Sequence, residues 1–156
     1  MINRLLSKRK FITAIHVMFI QALLTVAATA ADAPRTEPLP PGEAFKLAVS
    51  VRGANALVAQ FTPAKGHYLY KNKIFFALKN ASGVIIKEVR LPPGEVKNDP
   101  FFGTMEVYKK AFQIEITLDR TPKTKHFTLF AGYQGCNEVI GVCYPPLQTS
   151  FDLTLP

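Results

Sequence analysis

From Phe45 onward, apolar and polar residues of this chain alternate: Phe45, Leu47, Val49 and Val51 stand against Lys46, Ala48, Ser50 and Arg52. A period of two sends one set of side chains into a core and the other into water, which predicts a half-buried strand. The pattern returns at Phe112, Ile114, Ile116 and Leu118, set against Gln113, Glu115, Thr117 and Asp119. Runs rich in β-branched and aromatic residues predict further strands near 55–61, 68–78, 84–89, 127–134 and 148–155. Gly53-Ala54, the run Thr62-Pro63-Ala64-Lys65-Gly66 and residues 80–83 supply the breaks. No window after residue 30 carries a helical period. Short strands between Pro/Gly turns predict an all-β fold, an immunoglobulin-like antiparallel β-sandwich over 44–156. All 12 prolines lie after residue 30, mostly in the predicted breaks, where no ladder hydrogen bond is lost.

The first 30 residues follow another rule. Arg4, Lys8, Arg9 and Lys10 precede an apolar run over 11–28, interrupted by Thr13, His16, Gln21 and Thr25, and Ala28-Thr29-Ala30 closes it. A basic start, an apolar middle and a small-residue exit are the parts of a secretory signal, so residues 1–30 are expected to be cleaved near Ala30 and the protein exported. The alternative is an uncleaved membrane anchor. Residues 31–43, rich in proline, are expected to form a flexible tail.

This division changes the meaning of the charge. The chain has 19 Lys+Arg and 11 Asp+Glu, formally +8, but four of the cations belong to the signal, leaving 15 against 11, or +4. Mild basicity spread over a domain is a solvated surface rather than a nucleic-acid footprint, so no nucleic-acid partner is expected. With two cysteines, a disulfide-dense scaffold and a four-cysteine zinc site are excluded.

The cysteines carry the candidate chemistry. Cys136 and Cys143 lie in one segment, Tyr133-Gln134-Gly135-Cys136-Asn137-Glu138-Val139-Ile140-Gly141-Val142-Cys143-Tyr144-Pro145-Pro146. In an exported protein a cysteine pair reads first as a structural staple. Closing a loop of about eight residues, however, is worth only ~2.5 kcal/mol in the chain-entropy model, and such a bridge holds a loop rather than joining two sheets. Tyr133, Tyr144, Pro145 and Pro146 offer an apolar rim for a protein partner. No cation stands nearby in sequence to lower a thiol pKa, and Glu138 would raise it. A shielded relay and a non-enzymatic binding or assembly module with a structural disulfide both remain open. His67 and His126 read as solvated strand-end residues. Together with Met105 and the cysteines they have no spacing that supports a copper site.

At these residues the chain resembles a known family. Tyr133-Gln134-Gly135-Cys136 followed by Cys143-Tyr144-Pro145-Pro146 is similar to the active-site loop of the N-terminal periplasmic domain of the DsbD thiol:disulfide interchange proteins. Tyr68-Leu69-Tyr70-Lys71, Leu91-Pro92-Pro93-Gly94, Asp99-Pro100-Phe101-Phe102-Gly103 and Glu106-Val107-Tyr108 match in the same order. The resemblance implies an immunoglobulin-like domain that takes electrons from one thioredoxin-fold protein and hands them to others in the periplasm, such as a disulfide isomerase or a cytochrome c maturation reductase. It implies a redox-active Cys136–Cys143 disulfide with no other cofactor and no metal, acting in a monomer. Cys143 would form the mixed disulfide with a partner and Cys136 would resolve it. Phe101 would be the cap-loop aromatic over the disulfide, with Phe102 beside it. Tyr68, Tyr70 and Tyr144 would pack at the site, and Asp99 would influence thiol ionisation. Without the resemblance, Tyr68 and Tyr70 read as strand packing, Phe101 and Phe102 as a plug under a loop, and Asp99 as a turn former.

The chain departs from the family pattern in three places. Six residues separate the cysteines where the family has five, so a one-residue bulge is expected. Pro100 stands where the family usually has an acid. The chain stops at Pro156 without a membrane or thioredoxin-like domain, which predicts either a stand-alone version supplied with electrons by separate proteins, such as a membrane electron transporter, or a domain that has kept the fold and changed partners.

Overall fold

The computed structural model describes residues 37–121 and 125–156. The expected signal, 1–30, and the start of the Pro-rich segment lie outside that description. A single helical turn, α1 (Pro41–Ala44), with proline at its start, leads into β1 (Phe45–Val51). Then follow β2 (Ala56–Pro63), β3 (His67–Tyr70), β4 (Phe75–Lys79), β5 (Val84–Arg90), β6 (Glu95–Asp99) and β7 (Gly103–Tyr108). The last five are β8 (Phe112–Arg120), β9 (His126–Tyr133), β10 (Gly135–Asn137), β11 (Val142–Cys143) and β12 (Leu147–Thr154).

These strands form antiparallel sheets in the orders β1-β2-β8-β5, β12-β9-β4 and β11-β10-β3-β7-β6, the all-β immunoglobulin-like arrangement that the alternation predicts. The first two sheets meet through the inward residues of that alternation. Leu57, Ala59 and Phe61 of β2 and Ile114, Ile116 and Leu118 of β8 are buried with Phe127, Leu129 and Tyr133 of β9 in one core. Phe61 and Tyr133 meet edge to face with ring centroids 5.2 Å apart, a geometry that aligns ring edge with ring face.

The third sheet continues the second. Its β10 follows β9 after Gln134 alone, and Tyr70 N–H donates to the Gln134 carbonyl at 3.0 Å, bridging the two ladders. Leu69 pairs with Gly135 and Phe75 with Gly132, the surplus between them being taken up by a 3₁₀ turn at Lys71–Lys73. The single strand expected over 68–78 is therefore two strands, split where three polar residues cannot share an inward face.

Two other expectations change. Strands β6 and β7 form a hairpin that alternation does not announce, because Glu95–Asp99 is polar on both faces. The end of the Pro-rich segment is tied down: Leu39 packs on the core, and its carbonyl accepts the Tyr144 hydroxyl at 2.8 Å.

Candidate functional site

Strand β3 is buried on both sides, and this places the site. Leu69 points into the main core, whereas Tyr68 and Tyr70, of opposite parity, point to the other face of the sheet. Across the ladder, Tyr68 pairs with Cys136 and Cys136 pairs with Cys143, so all three share that outer face. On the opposite flank, Tyr70 pairs with Val107 of β7 and, further out, Lys97 of β6 pairs with Met105. Tyr68, Tyr70, Val107 and Cys136, with Met105 and Cys143 against them, form a second small buried cluster outside the sandwich core.

Cys136 and Cys143 are joined as a disulfide. Their hairpin is in register, with Asn137 opposite Val142 and residues 138–141 as the turn, so the six-residue spacing is absorbed without the expected bulge. The Asn137 side-chain oxygen accepts from the Val139 and Ile140 N–H groups at 2.9 and 3.3 Å, and Gly141 takes the left-handed conformation (φ 68°) that closes the turn. Cys136 is buried at 2% exposure, while Cys143 is half-buried and is the more approachable sulfur.

Asp99 ties the cap to the sulfurs. Its Oδ2 accepts the Tyr68 hydroxyl at 2.5 Å and the Tyr70 hydroxyl at 2.8 Å, and its Oδ1 accepts the N–H groups of Phe101 and Phe102 at 2.9 and 3.1 Å. The Tyr70 oxygen lies 3.0 Å from Cys136 Sγ and 3.8 Å from Cys143 Sγ. Burial raises the Asp99 pKa, but the hydrogen bonds from Tyr68, Phe101, Tyr70 and Phe102 outweigh it and hold the carboxyl below its ordinary range. Burial, reinforced by Asp99, pushes Tyr68 up to about 12, and burial with the bonds to Tyr68 and Asp99 pushes Tyr70 higher still. At neutral pH the network is one carboxylate held by two neutral hydroxyls. Because Tyr68 keeps Asp99 satisfied, Tyr70 can share its proton between the carboxylate and the Cys136 sulfur.

The cap is the tip of the β6–β7 hairpin. Asp99 pairs with Gly103, leaving Pro100, Phe101 and Phe102 as the turn. Phe102 sits edge-on to Tyr70 with centroids 5.1 Å apart, whereas Phe101 is 61% exposed. The aromatic folded back toward the site is thus Phe102, and Phe101 faces solvent.

Tyr144 is not beside the sulfurs. Strand parity turns it to the core side, where it meets Phe45 at 5.0 Å between ring centroids, and Tyr133 is likewise in the core. Exposed apolar side chains on the two hairpins are Phe101, Phe102, Val139 and Val142, of which Val139 lies against Gly66 and Val142, adjacent to Cys143 on β11, is on the opposite face of that strand. His67 is buried rather than solvated: its Nδ1 donates to the Lys65 carbonyl at 3.1 Å, and its Nε2 faces the Tyr144 hydroxyl at 3.3 Å. Among the described residues, no three His, Cys, Asp or Glu side chains cluster to hold a metal.

Cations absent from the local sequence are supplied by the fold. Lys97 Nζ and Lys109 Nζ lie 3.1 and 3.0 Å from Glu138 Oε2, and Lys97 also stands over the Tyr68 ring at 4.9 Å. Lys109, against the cost of burial and with help from Lys97, holds the Glu138 carboxyl below its ordinary range. Strands β6 and β10 are three strand spacings apart, about 14 Å, so the pair is made by extended Lys97 and Glu138 side chains and joins the β6–β7 hairpin to the turn of the cysteine hairpin.

A family model described as the N-terminal part of the thiol:disulfide interchange protein DsbD matches residues 35–155. The chain is 37% identical over 111 residues to thiol:disulfide interchange protein DsbD 1 of Pseudomonas aeruginosa, covering 71% of this chain and 18% of that protein. It is 37% identical over 117 residues to the DsbD of Neisseria meningitidis serogroup B, covering 74% and 18% respectively. The reduced N-terminal domain of N. meningitidis DsbD superposes with a TM-score of 0.65 at 33% identity, covering 74% of this chain and 89% of that one. A second N. meningitidis structure, a complex between the N-terminal domains of DsbD and PilB, gives 0.58 at 32% identity, covering 74% and 87%. The chain thus spans about a fifth of the length of these curated relatives and nearly all of the solved domain. With a family model matching residues 35–155, relatives 37% identical and a solved domain of the same fold at 33% identity, this chain belongs to the DsbD N-terminal domain family of thiol:disulfide interchange proteins.

Proposed function

We propose that this domain is a periplasmic thiol–disulfide relay that carries two electrons between thioredoxin-fold proteins. The observation that carries the reading is the asymmetry of the disulfide: Cys143 is half-buried and approachable, while Cys136 is buried at 2% exposure against the Tyr70 hydroxyl. Exchange proceeds by thiolate attack on sulfur. A donor's thiolate attacks Cys143 Sγ, the Cys136–Cys143 bond breaks, and the electron pair leaves on Cys136 as thiolate. Tyr70, a neutral donor within hydrogen-bond reach, stabilises that leaving group. The donor's second thiolate then attacks its own sulfur in the mixed disulfide, releasing Cys143 and leaving the donor oxidised and the domain reduced. Passing the pair on reverses these steps: Cys143 attacks the acceptor's disulfide, and Cys136 resolves the adduct.

Two further features support the reading. Phe101 and Phe102, at the tip of the β6–β7 hairpin, are exposed apolar side chains, suited to a protein partner rather than a small oxidant. A similar domain has been solved with a protein partner, the N-terminal domain of PilB. Export by the 1–30 signal would place this chemistry in an oxidising compartment, where such a pair has substrates.

The test is trapping. In a Cys136→Ala variant the mixed disulfide through Cys143 has no resolving thiol, so adducts with thioredoxin-fold proteins should accumulate in the periplasm under oxidising conditions. Absence of such adducts would overturn the relay. A reduction potential well below about −300 mV would point the same way, toward a static staple.

A further inference from the structure

We infer that Glu138 is a positioning residue, latching the cap hairpin over the disulfide through Lys97 and Lys109. The inference rests on reading Cys136–Cys143 as an exchanging pair, and it concerns what controls access to that pair.

The hairpin is fastened at its base and at its tip by different groups. At the base, Glu106 Oε2 accepts from Lys71 Nζ at 2.6 Å and from Gly94 N–H at 3.0 Å, pinning the hairpin to the 3₁₀ turn. Behind it lies an open groove of about 530 Å³ between Val96 and Thr104 on the hairpin and Ile74 and Leu91 on the body, so little packing resists an outward swing. What holds the free end is the Asp99 hydrogen bonds, the contacts of Phe102 with the Tyr70 edge and with Lys73, and the Lys97 ion pair to Glu138.

Of these groups, Glu138 stands on the cysteine hairpin itself, two residues from Cys136. Its pair with Lys97 on β6 breaks when the cap hairpin moves away, while Lys109, just past the base of that hairpin, keeps the Glu138 carboxylate in place to receive it. The side chains of Lys97 and Glu138 are 21% and 33% exposed, which screens the pair less than a fully solvated one. Lys97 also lies over the Tyr68 ring, so opening the latch frees the tyrosine that helps hold Asp99.

The experiment measures reduction of the purified, oxidised protein by dithiothreitol, whose thiolate attacks Cys143 and whose second thiol closes the reductant's ring as Cys143 is released. A latch makes both Glu138→Gln and Lys97→Gln faster, by about threefold, the size expected of a partly exposed pair. Lys97→Arg keeps the slow rate. Added salt accelerates the wild type and has little effect on the two faster variants. A simple field effect on the anionic reductant predicts opposite signs, Glu138→Gln faster and Lys97→Gln slower. A slower or unchanged Lys97→Gln overturns the latch. Because no partner protein takes part, this outcome is separate from the trapping result, which judges the relay alone.

Discussion

Replacing Asp99 with Asn tests whether a charged carboxylate, rather than a hydrogen-bonding shape, holds the cap to the redox pair. The side chain is buried at 5% exposure and accepts from two hydroxyls and two backbone N–H groups. Asn can keep its carbonyl on Phe101 and Phe102, but it presents an NH₂ to Tyr68 and Tyr70, which must turn from donors into acceptors. Bonds to a charged group contribute about 1.5–3 kcal/mol and neutral ones about 0.5–1.5, so the exchange costs roughly 2 kcal/mol once the four are allowed to compensate one another. The assay is urea denaturation of the oxidised wild type and Asp99→Asn at pH 7 and in acid. The folded pKa of Asp99 lies below its ordinary value of 3.8, so its stabilisation is fully present above that value and is lost as pH falls through the folded one. Glu106 and Glu138, also lowered, are present in both proteins and cancel in the difference. The gap of about 2 kcal/mol at neutral pH should therefore shrink as pH falls below the ordinary Asp value, toward what shape alone costs. A gap that stays constant with pH would refute the charge argument.

Two further outcomes follow from the same geometry. A Cβ at Gly135 would lie 2.2 Å from the Tyr68 carbonyl and 2.7 Å from the buried Phe45 ring, so Gly135→Ala should destabilise by about 3 kcal/mol, the upper end for overpacking. At Gly132 the obstacle is the Phe75 ring, which is 54% exposed and can move aside, so thermal unfolding should show the loss in Gly135→Ala well ahead of Gly132→Ala. Phe102→Ala should speed reduction by dithiothreitol more than Phe101→Ala, since Phe102 carries the ring contact to Tyr70; equal rates would contradict that assignment.

The sandwich was legible because its central strands bury one face each. Ile114, Ile116 and Leu118 alternate with Glu115, Thr117 and Asp119, and burial follows that parity. The same rule misled where a strand is buried on both faces or buries a polar residue. His67–Tyr70 is wholly buried, and in Glu95–Asp99 the one buried residue is the polar Asp99, so neither alternates in apolar character, and both belong to the sheet that builds the site. Tyr144 was misplaced for a related reason. Proximity to Cys143 along the chain suggested proximity to the sulfur, but adjacent residues of a strand face opposite ways.

Fold class was readable from alternation and turn chemistry alone, and the candidate pair from two cysteines whose flanking motifs match a family. Both are local signals, carried by residues within a few positions of one another. The tertiary structure decided that Phe102 rather than Phe101 turns back to the site, that Asp99 bridges the cap and both tyrosines, and that Lys97 and Lys109 reach Glu138. Those contacts join residues 29 to 41 positions apart across the sheet β11-β10-β3-β7-β6. Strand order and register set them, a sum of long-range pairings that no window of sequence contains.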